Sequence, residues 1–198
     1  MNEPAPIAGI ILAAGSASRM GRPKQLLDWG GRPLVRVVVE QAVAAGLWPV
    51  LVVVGAAGAE VAAALEGLPV EIVPCPDYSA GQSASLRAGV AALDPEVAAA
   101  VVLLADQPFV TAAIIAALAG EWRAGGGPIV APVYRGVRGN PVLFGRVVLP
   151  ELLAVTGDKG ARAVIASDSS RVRQVLFDDD RPLADIDTPE EYERLLKG

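Results

Sequence analysis

Ile7-Ala8-Gly9-Ile10-Ile11-Leu12-Ala13, running on into Ala14-Gly15, is the stretch whose reading decides the fold. A strand with one wet face alternates polar and apolar residues. An unbroken apolar run bounded by glycine reads instead as a strand buried on both faces, the habit of parallel sheets. Similar runs stand at Val50–Val54, Val70–Val73 and Val101–Ala105. Helix-length segments lie between and after them, at Leu34–Ala45, Ala59–Leu65, Ser83–Leu93 and Ala112–Arg123. This alternation calls for right-handed crossovers and helices on both faces of the sheet. The expected architecture is α/β, a Rossmann-like three-layer sandwich with a mostly parallel sheet. Further on, Ile129–Tyr134 and Val142–Phe144 read as short strands around a Gly/Arg-rich turn, Val172–Phe177 as a late strand, and Pro189 as the start of a final helix.

The 198 residues suit one domain spanning 1–198, with regular β-α alternation over 1–110 and a less regular second half over 111–198. With 53% hydrophobic and 20% charged residues the chain has enough apolar surface to fold. A net charge of −5, from 17 basic and 22 acidic residues, disfavours a nucleic-acid polymer or an anionic membrane as partner. The absence of histidine removes His-based triads, His general bases and His-ligated metals together. Cys75 is the only cysteine, so there is no internal disulfide, and a reducing, cytoplasmic setting is expected. The start MNEPAP has no basic residue ahead of the apolar run, unlike a signal peptide, and the uncharged stretch Gln41–Ala59 is broken by Gly46, Pro49, Gly55 and Gly58.

In such folds ligands sit beyond the carboxyl ends of the strands. The first strand is followed by a loop with Gly15, Gly21 and three cations, Arg19, Arg22 and Lys24, a composition suited to polyphosphate. It is not a Walker A loop, because five residues separate the two glycines and Arg22 follows the second. Asp106 follows the Val101–Ala105 strand, where a carboxylate suits a magnesium ion shared with phosphate oxygens. Asp185 and Asp187, two apart, point to one side of an extended chain and are candidates for a second metal carboxylate. Thr188-Pro189-Glu190-Glu191 reads as a capping box, and Asp178-Asp179-Asp180 as a solvated turn. Gly81–Gly89 opens a helix whose N–H groups, with Ser83 and Ser85, can face a base or ribose. Cys75 reads as a small buried residue, and the scattered Trp29, Trp48 and Trp122 do not form a stacking platform.

The block Leu12–Leu27, LAAGSASRMGRPKQLL, resembles the signature of the MobA-like nucleotidyltransferases, in particular their molybdenum cofactor cytidylyltransferase branch. The resemblance continues at Gly81–Gly89, Ala105–Pro108, Arg138–Phe144, Gly157–Arg162 and Asp185–Glu190, in family order along almost the whole chain. Asn140 departs from it, standing where many relatives have histidine. The resemblance implies a fold of the nucleotide-diphospho-sugar transferase type and transfer of CMP from CTP to a phosphorylated acceptor, molybdopterin or its metal-loaded form, with Mg2+. Transient contact with molybdoenzyme maturation proteins is part of that expectation. It assigns nucleotide contacts to Leu12, Ala13, Ala14, Gly15, Ser16, Arg19, Gly21, Lys24, Gly81 and Ser85, with Ala13, Gly81 and Ser85 at the base. Acceptor contacts fall to Arg138, Gly139, Asn140, Gly157 and Asp158. Physical chemistry agrees: an acceptor phosphate is already an anion and needs no base, so positioning and charge neutralisation carry the reaction. Lys24 is the expected cation between the α-phosphate and the leaving group, Arg19 serves the outer phosphates, and Asp106 with Asp187 or Asp185 takes the metal. Two alternatives stay open: a guanylyl- or other nucleotidyltransferase, and a non-catalytic nucleotide- or cofactor-binding regulator.

Overall fold

The computed structural model describes residues 5–15, 23–157 and 160–197. Eight strands form one sheet: β1 (Ile7–Ala13), β2 (Val50–Val54), β3 (Glu71–Pro74), β4 (Ala99–Leu104), β5 (Ile129–Tyr134), β6 (Val137–Arg138), β7 (Val142–Gly145) and β8 (Val172–Phe177). Their order is β3-β2-β1-β4-β7-β5-β6, with β8 added on β5. Pairings β1 with β2, β1 with β4, β2 with β3 and β5 with β8 are parallel, whereas β7 runs antiparallel between β4 and β5.

Strand β1 sits at the centre and is buried on both sides, as its continuous apolar run requires. Ile7, Ile11 and Ala13 enter one core layer with Val35, Val38 and Val39 of α1 (Leu34–Ala44) and Ile115 and Leu118 of α4 (Ala112–Arg123). Helix α2 (Gly58–Ala64) adds Val61 to the same layer. Ala8 and Ile10 enter the opposite layer, which contains Leu86 and Val90 of α3 (Gln82–Ala91), Leu149 and Leu152 of α5 (Leu149–Leu153), and Val164 and Ile165 of α6 (Arg162–Ser167). The result is the expected three-layer sandwich. Each such buried aliphatic side chain contributes about 1.5–3 kcal/mol over an exposed one. Gly89 is the packing point between α3 and the sheet, since a Cβ there would stand 2.5 Å from Ile10 Cγ2. The glycine therefore serves helix-to-strand approach.

A third, small cluster joins Leu27, Leu34 and Ile186, with Trp29, Tyr192 and Leu195 against it. It docks the closing segment and α7 (Pro189–Leu196) onto the edge of α1. Thr188 and Glu191 make the expected capping box at the start of α7, and Thr111 caps α4 through the Ile114 N–H. Cys75 is buried, and Asp179 lies in an exposed turn paired with Arg181 at 2.7 Å. No helix among the described residues is long and apolar enough to cross a membrane.

Candidate functional site

The carboxyl ends of β1 and β4 are tied together where the Ala105 N–H donates to the Leu12 carbonyl at 3.2 Å. Above them opens a cavity of about 330 Å³, lined among others by Leu12, Ala14, Gly15, Lys24, Gly81, Ser85 and Asp106. Six residues expected from widely separated motifs thus share this cavity with Asp106, as the sheet topology requires. Gly81 caps α3 with φ 97°, in the left-handed region that favours glycine.

Lys24 stands in a single turn of 3-10 helix, Lys24–Leu26. Its ammonium donates to Asp106 Oδ2 and, at 2.9 Å, to Asp187 Oδ1. Partial burial pulls the Lys24 pKa down, but the Asp106 carboxylate, with a smaller contribution from Asp187, outweighs it and holds the group above its ordinary value. The side chain is thus a permanent cation at neutral pH, held between one carboxylate from the middle of the chain and one from near its end.

Gln25, buried among these groups, was not singled out by its sequence. Its Nε2 donates to the carbonyls of Ala13 at 2.7 Å and Gly15 at 2.9 Å, pinning the exit of β1 where the cationic loop begins. Gln107 was also unassigned; its Nε2 donates to Asp185 Oδ1 at 2.6 Å. Both lie inside the Leu12–Leu27 and Ala105–Pro108 blocks, but nothing in either block signals that its glutamine is buried. Gly55 is another close approach, because a Cβ there would stand 2.7 Å from the Ala14 carbonyl and 2.8 Å from the Tyr78 ring.

Other expected residues are placed differently. Ala13 does not line the cavity: strand alternation turns its methyl into the core beside α1, and its carbonyl is taken by Gln25. Asp185 and Asp187 have different partners. Burial and the nearby Asp106 charge push the Asp185 pKa up, partly offset by the Gln107 amide, whereas Asp187 faces Lys24. Among the described residues, no three Asp, Glu or Cys side chains converge as a metal cage. The donor set that does meet on one cation is Asp106 with Asp187, two hard oxygen ligands. That fits a magnesium or manganese ion whose other ligands are phosphate oxygens and water.

Asn140 lines a small apolar recess of about 40 Å³ that shares Leu12, Gln82 and Leu104 with the main cavity and has Arg162 on its wall. Its carbonyl accepts from Tyr134 Oη at 2.8 Å. Arg138 is exposed on β6, and neither it, Gly139 nor Gly157 lines either cavity. Gly139 instead packs under Leu183, whose Cδ2 a Cβ would approach to 2.7 Å. Ser16, Arg19, Gly21, Arg22 and Asp158 lie outside the described residues.

The model of the MobA-like NTP transferase domain matches residues 9–174. Over 96% of both chains, the protein is 32% identical to nicotine blue oxidoreductase of Paenarthrobacter nicotinovorans. It is 31% identical to the purine catabolism protein PucB of Bacillus subtilis over 97% of both. The crystal structure of Rv0371c from Mycobacterium tuberculosis superimposes with a TM-score of 0.87 at 32% identity, covering 98% of this chain and all of that one. The same mycobacterial protein has been solved in complex with manganese, with a TM-score of 0.81.

Proposed function

The chain belongs to the MobA-like NTP transferase domain family, and from that premise we propose that it transfers CMP from CTP to a phosphorylated small acceptor of the molybdopterin type, releasing pyrophosphate. The observation that carries this reading is the Lys24 ammonium shared by Asp106 and Asp187 on the wall of the main cavity. A nucleotidyl transfer gathers negative charge as pyrophosphate departs, and a fixed cation beside two metal-ready carboxylates meets that need.

In this reading Lys24 binds the phosphates at the α-position and the leaving group. Gln25 holds the backbone of the strand exit, and with it Gly15, beside the triphosphate. The first turn of α3, with Gly81 and Ser85, faces the base. Asp106 and Asp187 would hold a divalent ion, which supplies charge neutralisation on the phosphate oxygens. Asn140 and Arg162 stand where an acceptor's uncharged body and its anionic group would meet the cavity. The choice of cytosine rests on the likeness of Leu12–Leu27 to the cytidylyltransferase branch.

The test is pyrophosphate release from each of four nucleoside triphosphates with Mg2+ or Mn2+, with and without a molybdopterin-type acceptor. CTP should exceed GTP and UTP by at least roughly tenfold in specificity constant. Preferred use of GTP would move the protein to a guanylyl branch. Since one relative is named an oxidoreductase, the same preparation is tested for oxidation of a reduced nicotinamide nucleotide. That activity, with no pyrophosphate from any triphosphate, would overturn the transferase assignment.

A further inference from the structure

The two carboxylates suited to a divalent ion already share a cation, and it belongs to the protein. Lys24 Nζ contacts both Asp106 and Asp187, and its side chain is only 21% exposed. The third carboxylate nearby, Asp185, is engaged by Gln107 and faces the same charges. A divalent ion entering alone must therefore share both carboxylates with an ammonium or evict it. The evicted group, in a half-buried position, is left without an anion, which is costly. A triphosphate changes the balance because it brings that anion into the cavity where Lys24 already stands.

We propose that Lys24 is an exchangeable counter-ion: in the nucleotide-free protein its ammonium occupies the carboxylate pair, and it turns to the phosphates when divalent ion and triphosphate bind together. Each ligand then strengthens the other, because the first removes the competitor or supplies its new partner, and the coupling is reciprocal. The inference rests on the reading that Asp106 and Asp187 bear the ion. It goes beyond that reading by giving the carboxylate pair a cation of the protein's own at rest, so that the pair is weak for metal until substrate arrives.

The test follows Mn2+ binding to the nucleotide-free protein by the loss of the free-ion electron paramagnetic resonance signal, which needs no turnover. Lys24→Met removes the charge and keeps the length of the side chain. It should bind Mn2+ at least about tenfold more tightly than the wild type, in line with losing one like charge within a few ångströms. Lys24→Gln should give the same direction, and Lys24→Arg, which keeps the charge, should stay near the wild type. Adding Asp106→Asn to Lys24→Met should abolish the gain, placing the ion at this pair. Thermal melts confirm that each variant is folded. Equal or weaker Mn2+ binding by both neutral variants overturns the counter-ion role while leaving the transferase reading intact. Full metal-dependent turnover in an Asp106→Asn, Asp187→Asn double variant would overturn both.

Discussion

Asp106 and Asp187 meet the same ammonium from walls of different build. Asp106 stands two residues past the end of β4, on the wall of the cavity, and its side chain is 15% exposed. Asp187 belongs to the closing segment, which hangs on the body of the molecule through Ile186, and its side chain is 49% exposed. Ile186 is fully buried between Leu27 and Leu34, and its N–H donates to the Asp106 carbonyl at 3.3 Å. The sheet thus fixes one carboxylate rigidly, and one buried side chain and one backbone bond bring the other to it. A charge set into the sheet edge is shielded from water and acts strongly, whereas a charge on a docked strap is more screened.

The contrast is most directly broken by neutralising each carboxylate. Asp106→Asn should lower CTP-dependent kcat/KM by about a hundredfold or more, the scale of a lost preorganised charge. Asp187→Asn should cost about tenfold, given its greater exposure. Steady-state rates across a range of Mg2+ concentrations measure both; equal losses would show that the strap is as rigid as the sheet.

Gln25 sharpens the same contrast from the sheet side. Gln25→Ala leaves two carbonyls at the strand exit without a donor, which should cost about 1–3 kcal/mol of stability, read as a Tm lower by several degrees. Gln25→Glu has the same shape but cannot donate, so it should fail in the same way. A Glu variant with wild-type Tm and rate would remove Gln25 from the positioning role.

The smallest effect is expected far from the site, at the Glu151 and Arg171 pair, 2.6 Å apart between α5 and the start of β8. A hydrogen bond from Arg171 holds the Glu151 pKa below its ordinary value, so the pair stabilises the fold above that value and loses its effect as pH falls through the lowered one. Glu151→Gln should therefore lower Tm slightly at pH 7, with the difference vanishing in acid. Melts at several pH values check the sign.

The elements that carry this site were largely legible because their signals are local and strong. Strands β1, β2, β5 and β8 and helix α4 begin and end where their apolar runs do, and α7 starts at Pro189 behind its capping box. Strand β4 begins earlier than Val101, because Ala99 and Ala100 pair with Ile7 and Ala8, and alanine carries little strand signal of its own. Helices α5 and α6 went unread: at five and six residues they span too little chain to show a helical period. Residues 137–138, read as part of a turn, pair as β6. Within the site, Asp106 stands out as a charge set just after an apolar strand, and Lys24 as one of three cations in the glycine-bearing loop that follows another. Gln25 and Gln107 do not, since their importance comes from burial that only the assembled sheet creates. The spacing of Asp185 and Asp187 suggests a common side, but it cannot say that an amide from the β4 loop claims one of them.

Lys24 lies 82 residues from Asp106 and 163 from Asp187 along the chain. Contacts of such separation form only after most of the loop-closure entropy between them has been overcome, so parallel sheets of this kind assemble slowly. The charge triad consequently requires β1, β4 and the segment around Ile186 to be assembled together. A chain with its helices formed but β1 and β4 still unpaired carries every reactive residue yet none of the arrangement that makes them act together, so activity reports completed folding and not merely the presence of secondary structure.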